Sequence, residues 1–148
     1  MAVLFDVIAV LESLAAKRVC ERMTPSLLQQ LEDLHGDMLA HHAAGRRHAY
    51  FDLNTAIHDL VIQKAANPVL KTTHERLMIQ ARRGRFLAIM NPERLAQAVG
   101  EHETLMQTFR DGAAAQAATD WERHLRHTGE TVAAALRDSE QVSKQADA

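Results

Sequence analysis

Three Xaa-Pro pairs, Thr24-Pro25, Asn67-Pro68 and Asn91-Pro92, constrain this chain more than any other feature. Thr and Asn are favoured N-caps because a side-chain oxygen can accept from a free backbone N–H of the first helical turn. Proline suits the first helical position, where its missing N–H costs nothing. It also disfavours helical backbone in the residue before it. Each pair therefore ends one helix and opens another. The chain has only three prolines and six glycines, so the stretches between these pairs read as long helices.

The spacing of apolar residues fills in the elements. A first helix runs from about Ala2 to Arg22, with Val3, Leu4, Val7, Val10, Leu11, Leu14 and Ala15 as its apolar stripe and Glu12, Lys17, Arg18, Glu21 and Arg22 mostly off it. A second opens at Pro25 and ends near Gly45. A third covers about Arg47 to Ala66, a fourth opens at Pro68 with Gly84 as a weak point, and a fifth opens at Pro92 and closes at Asp111-Gly112. The sixth spans about Ala113 to Ser139. No segment alternates with period two in β-branched residues, so no sheet is expected. The reading is an all-α, six-helix, mostly antiparallel bundle over residues 1–139, with a polar and disordered tail over 140–148.

A length of 148 residues fits one domain with its own core. The single cysteine, Cys20, allows no disulfide within the chain and suits a reducing cytoplasm. No signal peptide is visible and no apolar run is long enough to span a bilayer. A formal charge of −2 with no basic stripe makes this chain alone a poor DNA ligand.

Nine histidines invite a positional test. His58 lies one helical turn after Asn54 and shares a face with Val61 and Ala65. His102 lies with Val99, Leu105, Met106 and Phe109, and His124 with Ala117, Trp121, Leu125 and Thr128. All three point toward the expected core. His35, His41, His42, His48 and His127 have polar neighbours and are expected at the surface, while His74 is ambiguous. A buried imidazole is commonly a satisfied core residue. Three of them with an amide oxygen are also a mixed N/O donor set for zinc, nickel, copper, manganese or iron. Spacing alone leaves both readings open.

Several short motifs occur in a telling order. The first helix reads Leu4 to Lys17; Asn54-x-x-Ile-His58 is followed by Ala65-Ala66-Asn67-Pro68-Val69-Leu70, then Glu101-His102-x-x-Leu105, the Asp111-Gly112 turn, Ala117, and Trp121-Glu-Arg-His124-Leu125. This series resembles the all-helical effector-binding (FCD) domain of GntR-type bacterial transcription regulators, named after the fatty-acid regulator FadR, over nearly the whole chain. The resemblance implies a divalent transition metal, such as zinc, nickel, manganese or iron, held by Asn54, His58, His102 and His124. It further implies a small organic acid as effector and a cytoplasmic homodimer. DNA would be bound only through an N-terminal winged helix-turn-helix domain that this chain lacks, whether as a fragment or a stand-alone sensor.

Two departures bear on the site. Many members have aspartate where this chain has Asn54, and a neutral amide leaves the metal its full charge, which favours an anionic effector. Many also carry an arginine one turn before the first-helix glutamate, where this chain has Ile8. Arg82 and Arg85 on the fourth helix are the candidate replacement cations for effector binding. The expected role is non-enzymatic. The rivals are a helical-bundle metalloenzyme and a structural dimerisation bundle. Glu101 makes a poor general base because it sits about 100° around the helix from His102.

Overall fold

The computed structural model describes residues 2–148 and contains six α-helices: α1 (Ala2–Glu21), α2 (Pro25–Ala43), α3 (Arg47–Lys64), α4 (Pro68–Met90), α5 (Pro92–Asp111) and α6 (Ala114–Ala146). No strand occurs among the described residues. The three Xaa-Pro pairs work as expected. Thr24 Oγ1 accepts from the Leu27 N–H at 3.1 Å, Asn67 Oδ1 from Leu70 at 3.1 Å, and Asn91 Oδ1 from Arg94 at 3.0 Å. Each such cap stabilises its helix by about 1 kcal/mol. At the C-terminal ends, Gly45 and Gly112 take positive φ values of 72° and 66°, a left-handed conformation that carries no Cβ penalty in glycine. Ala66 does the same job without that freedom, at φ 54°.

α1 and α6 run antiparallel along one another. Ser13 Oγ donates to the Ala118 carbonyl at 2.9 Å, and Arg126 pairs with Asp6 at 2.9 Å. Their closest approach is at Gly129, where a Cβ would come within 2.7 Å of Phe5 Cβ. The core gathers Phe5, Ile8, Val19, Leu31, Tyr50, Ile57, Leu105, Phe109, Trp121 and Leu125 from five helices.

The apolar stripe expected on α1 is a correction. Val3, Val7, Val10 and Leu14 are exposed, whereas Phe5, Ile8, Ala9, Glu12, Ala15, Ala16, Val19 and Cys20 are buried. α1 is apolar nearly all round, so periodicity does not mark its inner face. Its small residues Ala9, Ala15 and Ala16 are all fully covered. Gly84 does not interrupt α4. The tail expected to be disordered is helical through Ala146, although it is solvent-exposed.

Candidate metal and effector site

The periodicity that aligned Asn54 with His58 is realised on α3. Both residues are buried, as are His102 on α5 and His124 on α6. The imidazoles of His58, His102 and His124 form one cluster, with a potential donor atom of each within 4.8 Å of the others. Ring centroids are 5.5 Å apart for His58–His102, 5.4 Å for His58–His124 and 4.8 Å for His102–His124. Trp121 closes the cluster from α6, its ring centroid 4.8 Å from that of His58. Asn54 lines the adjoining cavity with His58 and His124.

The hydrogen bonds around the cluster tell which nitrogens are free. Glu12 is wholly buried and accepts from His58 Nδ1 at 2.5 Å, His74 Nε2 at 2.8 Å and Arg85 Nη2 at 2.9 Å. On the opposite side, Glu101 accepts from His124 Nδ1 at 2.7 Å, from His127 Nδ1 at 2.5 Å, and from Arg94 Nη2 at 2.7 Å. That leaves His58 Nε2 and His102 Nε2 buried with no hydrogen-bond partner among the described residues. An orphaned buried nitrogen costs about 1–3 kcal/mol, and a divalent cation among three neutral imidazoles would remove that cost. The donor set therefore fits a metal ion.

Electrostatics keep these imidazoles neutral. Burial pushes His58 down to about 4, against an upward pull from Glu12. Burial and the neighbouring His124 and His58 hold His102 well below the ordinary value. Burial also lowers His124, despite the opposing bond to Glu101. Burial alone would raise the Glu12 carboxyl, but His58 and Arg85 outweigh it and hold it well below the usual range. Glu101 follows the same pattern: burial raises it, but His124, the bond to His127 and the charge of Arg94 together outweigh this and bring it to about 2.

The cavity beside the cluster is walled by four helices. α3 contributes Asn54 and His58, α4 Arg85 and Ile89, α5 Arg94 and Ala98, and α6 His124, Leu125 and Thr128. Its free volume is about 10 Å³, room for roughly a single water molecule. Two guanidiniums border it. Arg85 Nη2 is engaged by Glu12, but its Nη1 is buried without a partner. Arg94 Nη2 contacts the His124 carbonyl at 3.1 Å and Thr128 Oγ1 at 3.1 Å, besides Glu101.

Of the two arginines singled out in the sequence, Arg85 lines this cavity and is 2 % exposed. Arg82 does not line it and is exposed. Ile8 is buried, so the cations at the site come from α4 and α5. Sequence reasoning missed Glu12, Arg94 and the role of His74. It also misplaced His35, which is 2 % exposed and bonded through Nε2 to Glu103 at 2.5 Å. Of the other histidines expected at the surface, His48 is exposed and His41, His42 and His127 are half-buried. A capping signal points at Arg94, the third residue of a helix opened by Asn91-Pro92, but nothing local marks its side chain as buried.

The family model of the FCD domain, the C-terminal domain of FadR and other GntR-family regulators, matches residues 3–127. The chain belongs to the FCD family. No curated protein matches it. An FCD domain is the effector-binding part of a GntR-family regulator, which binds DNA through a separate N-terminal domain. The match runs from the start of α1 into the N-terminal part of α6 and includes every residue of the cluster and of the cavity except Thr128. No helix among the described residues is long and apolar enough to cross a membrane.

Proposed function

We propose that this FCD domain is the sensor and dimerisation unit of a cytoplasmic GntR-type regulator, and that a small organic acid binds it at a metal held by His58, His102, His124 and Asn54. The observation that carries this reading is the three-imidazole cluster, with His58 Nε2 and His102 Nε2 unpartnered, beside a cavity lined by His58, His124 and Arg85, whose Nη1 is also unpartnered. A bound metal would supply a Lewis-acidic centre for a carboxylate oxygen. Arg85 and Arg94 would orient the remaining anionic oxygens, Arg85 through its free Nη1.

The near-absence of free space supports a switching role. An acid larger than water enters only if α4 or α5 moves away from α3 and α6. Such a ligand has higher affinity for the opened arrangement and shifts the population toward it. The exposed row Val3, Val7, Val10 and Leu14 on α1 suits burial against a second copy, since an apolar face of this kind marks an interaction surface. An enzymatic reading is disfavoured because Glu101, the carboxylate beside the cluster on α5, is occupied by two histidines and an arginine.

The test has two parts. Protein purified without a metal-affinity tag, analysed for elements, should hold about one transition metal per chain. A thermal-shift screen of the metal-loaded protein against organic acids should then yield a stabiliser by mass action, with the effect lost in Arg94→Met. Absence of metal together with no uptake on titration would sink the proposal.

A further inference from the structure

The two carboxylates flanking the cluster are arranged alike, although they come from different helices. Glu12 on α1 touches one imidazole and one guanidinium of the cavity, His58 and Arg85. Glu101 on α5 likewise touches His124 and Arg94. An ionised carboxylate only accepts hydrogen bonds. The 2.5 Å contact to His58 and the 2.7 Å contact to His124 therefore require the proton on Nδ1 in each ring. Arg94 Nη2 also lies 3.3 Å from His124 Nδ1. That contact is longer than the one to Glu101, and Arg94 Nη2 has the carboxylate, the His124 carbonyl and Thr128 Oγ1 to donate to instead.

We propose that Glu12 and Glu101 are positioning residues, each clamping the Nδ1–H of one imidazole so that His58 and His124 present Nε2 lone pairs to the same point. The inference rests on the metal-site reading above but concerns the metal-free protein. In water a neutral imidazole exchanges between its two tautomers; here each carboxylate selects one before any ion arrives. The unpartnered state of His58 Nε2 follows directly, because a lone pair aimed at the cluster finds no donor there. Each carboxylate also holds a cavity arginine, so loss of either glutamate should loosen a metal ligand and an anion-binding arm together. His102 has no carboxylate hydrogen-bonded to it among the described residues, and its orientation is left to the packing around it. Carboxylates in this relation to metal-bound histidines typically carry 10–100-fold in metal affinity.

The experiment is long-range ¹⁵N–¹H correlation NMR on the metal-free full chain at pH 7, paired with zinc titration. Wild type should show His58 and His124 as single Nδ1–H tautomers. Glu101→Leu should release His124 from that tautomer while His58 keeps it, and zinc affinity should fall about 10–100-fold. Glu101→Gln, which retains an accepting oxygen, should recover part of that affinity. Glu12→Gln should weaken zinc about as much as Glu101→Gln does. If that variant fails to fold, the partly exposed Glu101 decides the matter. Nε2–H at either histidine in wild type would overturn the proposal, as would Glu101→Leu with an unchanged His124 tautomer and unchanged zinc affinity. If wild type takes up no zinc, the metal-site reading fails, and the tautomers alone still decide this inference.

Discussion

His58 on α3 and Glu12 on α1 meet at 2.5 Å in the interior of the bundle, both with essentially no solvent exposure. A buried carboxylate stays ionised only if several donors compensate its desolvation. Here they are His58, His74 and Arg85, from two helices other than its own. The polar interior is thus a network joining α1, α3 and α4, and α5 and α6 are tied by the matching set around Glu101.

Asn54 tests the charge balance of this interior. Asn54→Asp should raise zinc affinity by about tenfold or more, because a full negative charge beside a dication outweighs an amide dipole even at an effective dielectric near 20. The same change should weaken anion binding at the loaded site. Zinc competition titrations and a thermal-shift series with one organic acid would read both effects. Unchanged zinc affinity would place Asn54 outside the ligand set.

Acid should destabilise the metal-free protein in two stages. His58 titrates at about 4 when folded and near 6.5 when unfolded, so the unfolded chain takes up protons first. Stability is full above about pH 6.5 and is lost as pH falls toward 4, by up to about 1.4 kcal/mol per pH unit for one such group. His102 and His124 shift in the same direction. Glu101, at about 2 when folded against 4.5 ordinarily, adds a further loss as pH falls from about 4.5 toward 2. Urea midpoints measured in chelator at pH 7.5, 5.5 and 4 should decline steadily; a flat profile from 7.5 to 5.5 would contradict the buried neutral imidazoles.

The α1–α6 contact gives a paired mutational test. Gly129→Ala drives a Cβ into Phe5 at 2.7 Å, between two helix backbones with no flexible tip to yield. It should cost about 1–3 kcal/mol. Gly100→Ala, in α5 with open space around the new methyl, should stabilise by about 0.5–1 kcal/mol through helix propensity. Chemical denaturation of the two variants should move in opposite directions.

Ala66 is the only non-glycine residue at positive φ among the described residues. Left-handed backbone costs an L-residue roughly 1–2 kcal/mol, part of which glycine returns as unfolded-state entropy. Ala66→Gly should therefore leave a net gain of about 0.5 kcal/mol or slightly more, visible as a raised denaturation midpoint.

Much of the molecule was decided locally and is readable in the chain. Thr24-Pro25, Asn67-Pro68 and Asn91-Pro92 set three helix starts because capping involves residues only three positions apart. His58, His102 and His124 turned inward because each sits within an apolar stripe of its own helix. The outward face of α1 was not readable, since a helix apolar all round has no preferred side until a partner arrives. Nor were the burial of Glu12, Arg85 and Arg94 and the retreat of Arg82 to the surface. A charged residue can be buried only where a distant helix supplies its counter-charge: Glu12 finds His58 at a separation of 46 residues, His74 at 62 and Arg85 at 73. Such partnerships have no local periodicity. They arise only when the six helices pack, and that packing gathers three inward imidazoles into one cluster with His58 Nε2 and His102 Nε2 unpartnered.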